Sequence, residues 1–190
     1  MKPVPSVSRG NRGKRFRNEL NLALRMLRSW RYCFDNTGHV RGPKRPGDLM
    51  GTWCGFSVLL EAKETRSDLL DFSRLEEHQG AHLGLQARSG GLAFVAIRWC
   101  LPQRPRAFLV PIETWEDLRG SLGRKSLPLR DSLRPEGVLE LSRGRVRDDV
   151  EQGCLNELVW DLRPALDRHV RHRLARLRAS RPDLFSEVEA

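Results

Sequence analysis

The sequence predicts a single α/β domain in which helices flank a central mixed β-sheet. Three observations lead there. The chain has 190 residues, the length of one domain and enough to enclose a hydrophobic core. Its apolar residues recur at helical spacing near both ends and in short strand-like runs between them, giving the order helix, strands, helix, strands, helix. No internal repeat or low-complexity linker divides the chain, and a composition of 39% hydrophobic and 31% charged residues matches an ordinary globular protein.

Residues 1–10 hold Pro3, Pro5 and Gly10 among Ser and Val and read as a flexible basic arm. The main domain is expected over 11–160, followed by a basic C-terminal helix over 161–190 that packs on or extends it. A helix is predicted from Asn11 to Trp30, because Leu20, Leu22, Ala23, Met26, Leu27 and Trp30 fall on one face. A short β segment at Tyr32–Asp35 precedes Asn36–Gly47, whose three glycines and two prolines impose a turn or a short hairpin tip. Leu49–Trp53 and Phe56–Lys63 read as strands joined by a tight turn at Gly55.

Ser73 and Glu76 have the spacing of a capping box, predicting a helix that runs to Arg88 and stops at Gly90–Gly91. Leu92–Trp99 and Ala107–Ile112 are the next strands, and a further helix is expected from Thr114. The last third is expected to be helical, with Leu155, Leu158, Val159, Leu162, Leu166, Val170, Leu174 and Leu177 as its apolar stripe. Pro164 interrupts that stripe, with Asp161 as the new N-cap. Trp30, Trp53, Trp99 and Trp115 are assigned to the core.

Charge narrows the partners. The formal net charge is +10 and the isoelectric point near 10.4. The basic residues cluster at Arg9, Arg12, Lys14, Arg15 and Arg17, at Arg41, Lys44 and Arg45, and from Arg163 to Arg181. Such a field attracts polyanions, so nucleic acid is the first partner to consider, with a merely solvated Arg-rich surface as the plain alternative. No apolar run approaches a membrane span and the N-terminus lacks a secretory apolar stretch, so a cytoplasmic location is expected. Cys33, Cys54, Cys100 and Cys154 are far apart, without metal-ligand spacing, and read as reduced, partly buried small hydrophobes.

Chemistry concentrates at Asp48 and at Glu61-Ala62-Lys63. On a strand, Glu61 and Lys63 project to the same face, and Asp48 at the start of the preceding strand can reach that edge. Two carboxylates beside an ammonium suit phosphodiester hydrolysis: the carboxylates can hold Mg²⁺, and the lysine can orient water or stabilise developing charge. A Glu-x-Lys pair is also the pattern of a simple salt bridge, so the wider context decides.

That context is a run of further motifs: EAKET at Glu61–Thr65, HQxxHL at His78–Leu83, the apolar strand Leu92–Trp99, NRG at Asn11–Gly13 and GRKS at Gly123–Ser126. In this order the chain resembles the RecU-type Holliday junction resolvases. The resemblance implies a restriction-endonuclease-like fold, a homodimer, Mg²⁺ dependence with Mn²⁺ as a substitute, and paired nicking of four-way DNA junctions. It implies Asp48, Glu61 and the Ala62 carbonyl as metal ligands, Lys63 as the catalytic lysine and Gln79 as a supporting glutamine. Arg12, Lys14, Arg15, Arg41, Lys44, Arg45, Arg124 and Lys125 are the candidate DNA contacts. A small-molecule substrate and a membrane are not expected.

Three positions depart from the family pattern. Related nucleases often carry a metal-associated glutamate four residues after the glycine of the first helix; here that slot holds Arg17, and Glu19, two residues on, is the remaining acidic candidate. Pro46-Gly47, rather than hydroxyl residues, precede Asp48. The segment Asn36–Gly47 is far shorter than the family's stalk, leaving a truncated basic hairpin. Other readings stay open: a nuclease of linear duplex, flaps or forks, or a non-catalytic DNA-binding protein of the same fold. His78 and His82 share a helix face without an evident third metal ligand, and His169 and His172 are read as part of a basic surface.

Overall fold

The computed structural model describes residues 12–27, 30–35, 46–101, 104–131, 135, 137–145 and 158–181. Helix α1 (Arg12–Arg25) leads into β1 (Trp30–Asp35), β2 (Leu49–Trp53), β3 (Phe56–Thr65) and the short β4 (Leu69–Asp71). A single 3-10 turn at Phe72–Arg74 precedes α2 (Glu77–Arg88), β5 (Leu92–Trp99), β6 (Arg106–Pro111) and α3 (Ile112–Ser121). Then come β7 (Ser126–Pro128), β8 (Leu139–Arg145), β9 (Leu158–Asp161) and α4 (Arg163–Ser180).

Seven strands form one sheet in the order β1-β2-β3-β5-β6-β8-β9, while β4 and β7 make a small separate ribbon. Only β3 and β5 run parallel, because α2 carries the chain back between them; the other neighbours are antiparallel. The mixed α/β sheet flanked by helices is therefore as the sequence predicts. Alternate residues of β3 divide between the two faces. Val58 and Leu60 pack with Phe16, Leu20 and Leu24 of α1 and with Leu166 and Val170 of α4. Leu59 packs instead with Leu83 of α2 and Trp115 of α3. β5 is buried along its whole length, as a strand covered by helices on both sides must be.

Three tight places fix the sheet edge. The β2–β3 turn has positive φ at Cys54 and Gly55, a conformation that suits the right-handed twist of a two-residue hairpin. A Cβ at Gly51 would fall 2.3 Å from Cζ2 of Trp30 and 2.6 Å from the Arg31 carbonyl oxygen, so β1 can cross β2 only over a glycine. Gly47 is constrained similarly, since a Cβ there would lie 3.0 Å from Leu59 Cδ1 and 3.1 Å from the Leu60 carbonyl oxygen.

Several element boundaries differ from the sequence reading. α2 begins at Glu77 rather than behind a Ser73 cap: Asp71 accepts from the Ser73 N–H and holds the 3-10 turn, and the Gln79 side chain accepts from the Glu76 N–H at the true helix start. α3 begins at Ile112, with Pro111 in an extended conformation just before it. The part of the C-terminal stripe before Pro164 is not helical where it is described. Leu158–Asp161 is an edge strand paired with β8, because a short β-branched and aromatic run beside an open edge gains more from pairing than from its helical spacing. α4 then starts at Arg163, where Asp161 accepts from the Arg163 N–H at 3.1 Å.

The four assigned tryptophans are buried, as is Trp160. Leu162, Leu166 and Val170 belong to the domain's own core, while Leu174 and Leu177 are exposed. His169 is half-buried rather than freely exposed: its ring meets Phe94 edge-on at 4.8 Å. Cys54 is exposed and Cys100 half-buried, so the burial expected of the cysteines does not hold for Cys54. Among the described residues, no helix is long and apolar enough to cross a membrane.

Candidate active site

The site forms where β2 stops short of β3. The last β2–β3 pair is Leu49 with Leu60, and the Asp48 N–H closes the ladder on the Leu60 carbonyl at 3.0 Å. Beyond that point Ala62 has no β2 residue opposite it. The Asp48 carboxylate takes the place of the missing strand, its Oδ2 accepting from the Ala62 N–H at 3.0 Å. In an extended strand the N–H and C=O of one residue face the same neighbour, so the Ala62 carbonyl is directed to this opening too.

Glu61 and Lys63, on either side of Ala62, project to the face covered by α2. There Lys63 Nζ donates to Glu61 Oε1 at 2.8 Å and to Gln79 Oε1 at 2.9 Å, and Gln79 Nε2 donates to Glu61 Oε1 at 2.6 Å. Gln79 Oε1 also accepts from the Glu76 N–H at 3.0 Å. The amide thus has both ends assigned: its oxygen meets two donors and its nitrogen a carboxylate. One residue therefore caps α2 and orients the charged pair on β3.

Glu61 is 3% exposed and stands beside Val95 of β5. Burial pushes its carboxyl up to about 7, the nearby Asp48 carboxylate adds to the rise, and Lys63 partly offsets it. Burial and like charge both penalise its anion, and a cation between the two carboxylates would relieve that penalty.

The residues fit a divalent cation with oxygen preference. Asp48, Glu61 and the Ala62 carbonyl supply three donors at one opening, and Mg²⁺ is commonly held by one or two carboxylates while keeping waters and substrate phosphate as its other ligands. Among the described residues, no group of three His, Cys, Asp or Glu side chains could hold a metal.

Glu19, the acidic candidate on α1, does not join this group. Its Oε2 accepts from Arg98 Nη1 at 2.6 Å and from Trp160 Nε1 at 2.9 Å, and Arg143 stands 3.5 Å away. Burial opposes its ionisation, but these donors and the charges of Arg98 and Arg143 outweigh burial and lower its pKa. Arg98 also pairs with Glu64, which alternates to the opposite face of β3 from Glu61 and Lys63. Glu19 is a structural anchor between α1, β5 and β9, and these partners hold it away from the metal position expected for it.

The residue that α1 does send to the site is Arg17, whose Nη1 lies 3.4 Å from Asp48 Oδ1. Arg17 was missed as a site residue, and Arg98 as the buried partner that holds Glu19 away from the site. The lone arginine within the apolar strand Leu92–Trp99 was the readable sign of Arg98, since a charge in a fully buried strand requires a partner.

Among the predicted DNA contacts, Lys14 and Arg15 are exposed on the first turn of α1, just before Arg17. Arg124 and Lys125 are exposed on the loop that leads into β7. That loop is tied to β4 and the 3-10 turn that precedes α2, because the Lys125 carbonyl accepts from the Phe72 N–H at 3.0 Å and Ser126 pairs with Asp71. Arg12 opens α1. Arg41, Lys44 and Arg45, the expected basic hairpin tip, lie outside the described residues.

The sheet, its flanking helices and the Asp48–Glu61–Lys63 edge define a domain of the restriction-endonuclease-like class. The profile of the family Recombination protein U (RecU) matches residues 42–144, more than half of the chain. The protein belongs to that family, and membership supports a Holliday junction resolvase, a nuclease acting on phosphodiester bonds. Among solved structures, the chain is similar to Hjc, a Holliday junction resolvase from the archaeal hyperthermophile Archaeoglobus fulgidus. The identity is 21% and the TM-score 0.39, over 53% of this chain and 78% of that one. No curated protein matches.

Proposed function

We propose that this protein is a metal-dependent, structure-selective endonuclease that resolves four-way DNA junctions by paired phosphodiester hydrolysis. The observation that carries the reading is the convergence of Asp48, Glu61, the Ala62 carbonyl, Lys63 and Gln79 on one strand opening. Asp48, Glu61 and Ala62 would hold Mg²⁺, with Mn²⁺ able to substitute. Bound there, the metal would polarise the scissile phosphate and lower the pKa of a water.

The chain's own groups do the rest. Glu61 and Gln79 fix Lys63 Nζ with two of its three N–H bonds, and the third can reach a phosphate oxygen or the attacking water. Gln79 keeps the ammonium and the Glu61 carboxylate from reorganising as charge develops. Lys14, Arg15, Arg124 and Lys125 would bind flanking phosphates, with Arg12, Arg41, Lys44 and Arg45 as further contacts. Phosphate contacts position a duplex without reading its sequence, which suits recognition by shape.

Resolution needs two symmetric cuts, so we propose that the active species is a homodimer with a two-fold axis. The arm over 1–10 is proposed as accessory to a catalytic domain over 11–160, the basic helix from 161 onward is proposed to pack on that domain through Leu166 and Val170, and the protein is proposed to act in the cytoplasm. A substrate panel of four-way junction, fork, flap and linear duplex with Mg²⁺ tests the reading. Preferential paired nicking of the junction supports it. Equal cutting of linear duplex would favour a general nuclease, and binding without cutting of any substrate would leave a DNA-binding protein.

A further inference from the structure

Arg17 is a cation where a divalent metal would need a free carboxylate. It sits between Phe16 and Leu20 in sequence, close to the two fully buried side chains that pin this turn of α1 to the sheet. Its side chain is 13% exposed and that of Asp48 17%. The contact between them is loose: Nη1 to Oδ1 is 3.4 Å, against about 2.7–2.9 Å for a well-formed charge-assisted bond. Arg17 Nε is buried and has no hydrogen-bond partner among the described residues. The guanidinium is therefore held near Asp48 by charge more than by geometry, with donor capacity left over.

The two oxygens of Asp48 have different tasks. Oδ2 is fixed by the Ala62 N–H and keeps the carboxylate at the opening. Oδ1 is the oxygen that Arg17 covers. With Lys63 already on Glu61, each of the two carboxylates at the opening faces a cation. A site compensated in this way has little net negative charge with which to strip water from Mg²⁺, an ion that dehydrates reluctantly.

We propose that Arg17 makes the metal site dependent on DNA: it screens Asp48 in the free protein and moves to a substrate phosphate when DNA binds. The inference rests on the metal-site reading above. A guanidinium matches a phosphate through two parallel N–H bonds, which the single long contact to Asp48 does not provide. An incoming phosphodiester competes for Arg17 and at the same time brings anionic oxygens that a metal can bind. Metal and DNA then favour each other, and linkage makes the effect reciprocal. A nuclease so arranged is unlocked by its substrate and holds little metal without it.

The test is calorimetric titration of Mg²⁺ into the full-length, DNA-free protein, comparing wild type with Arg17→Gln and Arg17→Ala. Junction binding by fluorescence anisotropy, with and without Ca²⁺, is measured on the same proteins. Removing the guanidinium is expected to tighten Mg²⁺ about tenfold, within the usual range of coupling between two sites. The factor by which Ca²⁺ strengthens junction binding should fall, and the salt dependence of that binding should lose about one unit of log–log slope. Unchanged or weaker Mg²⁺ binding in both Arg17 variants would overturn the proposal and leave Arg17 as a group that merely orients Asp48. Glu61→Gln in the Arg17→Ala background separates this from the parent reading. If that double variant binds Mg²⁺ as well as Arg17→Ala, the metal site itself is misplaced; if binding disappears, the site stands whatever Arg17 does.

Discussion

Gln79→Ala is the substitution whose effect can be worked most fully from the structure. It removes three hydrogen bonds: one from the Lys63 ammonium, one to the Glu61 carboxylate and one from the Glu76 N–H at the start of α2. Bonds to charged groups contribute about 1.5–3 kcal/mol each, and a neutral one about 1 kcal/mol. The side chains of Lys63 and Glu61 are only 11% and 4% exposed, so water replaces the lost partner poorly. The space left by the amide admits some water, which places the net loss at about 2–4 kcal/mol. For a domain of this size each kcal/mol lowers Tm by about 2–4 °C, so a fall of roughly 5–15 °C is expected. Freed from Gln79, Lys63 samples other rotamers, and single-turnover cleavage should slow by about 10–100-fold, the usual consequence of losing an orienting partner. Thermal unfolding and single-turnover kinetics on one preparation supply both numbers. A loss under about 0.5 kcal/mol together with an unchanged cleavage rate would refute the role given to Gln79.

Three further outcomes are expected. His169 is held neutral in the folded state, its pKa lowered to about 4 by burial first, with Arg168 and His172 pressing in the same direction against a hydrogen bond to Gly137. The unfolded side chain protonates near 6.5, so this contribution is fully present above that pH and is lost as pH falls toward 4, by about 2 kcal/mol between pH 6.5 and 5. Glu61 acts oppositely, since its raised pKa makes folding less favourable as pH climbs from 4.5 to about 7. Urea unfolding of wild type against His169→Phe isolates the histidine: the variant should show a flatter acid limb, and parallel curves would contradict its burial as a neutral ring. Gly51→Ala forces a methyl against Trp30 and the Arg31 carbonyl, and should cost about 1–3 kcal/mol or more in chemical denaturation. Replacing Arg124 and Lys125 together with alanine should weaken junction binding and reduce its salt slope by up to about two units, measured by anisotropy across a salt series.

The parts of the fold that were legible are those where local pattern and tertiary environment agree. Leu92–Trp99 and Leu49–Trp53 read as strands and are strands, because β-forming residues lie where the sheet buries them. β8 and β9 were hidden for the opposite reason. Leu158, Val159 and Leu162 fit a helical spacing, and only the open edge beside β8 decides that 158–161 extends. Within the site, Asp48, Glu61 and Lys63 were named from spacing and Gln79 from the family resemblance, and the structure brings them together. Glu19 shows the limit of counting. It stands two residues from Arg17, about 200° around the helix, so one faces the Asp48 opening while the other turns to Arg98 and Trp160. Sequence spacing could not say which of the two the sheet edge would meet.

The measurement that bears most directly on the proposed chemistry is cleavage of a four-way junction labelled on opposing strands. It compares wild type with Glu61→Gln in Mg²⁺ and in excess chelator, and follows junction binding in parallel. Wild type should give two symmetric nicks only when metal is present, and Glu61→Gln should bind the junction nearly as well while cutting it at least about 100-fold more slowly. Symmetric nicking that continued in chelator, or at near wild-type rate in Glu61→Gln, would show that the strand opening at Asp48, Glu61 and Ala62 is not where the phosphodiester is hydrolysed.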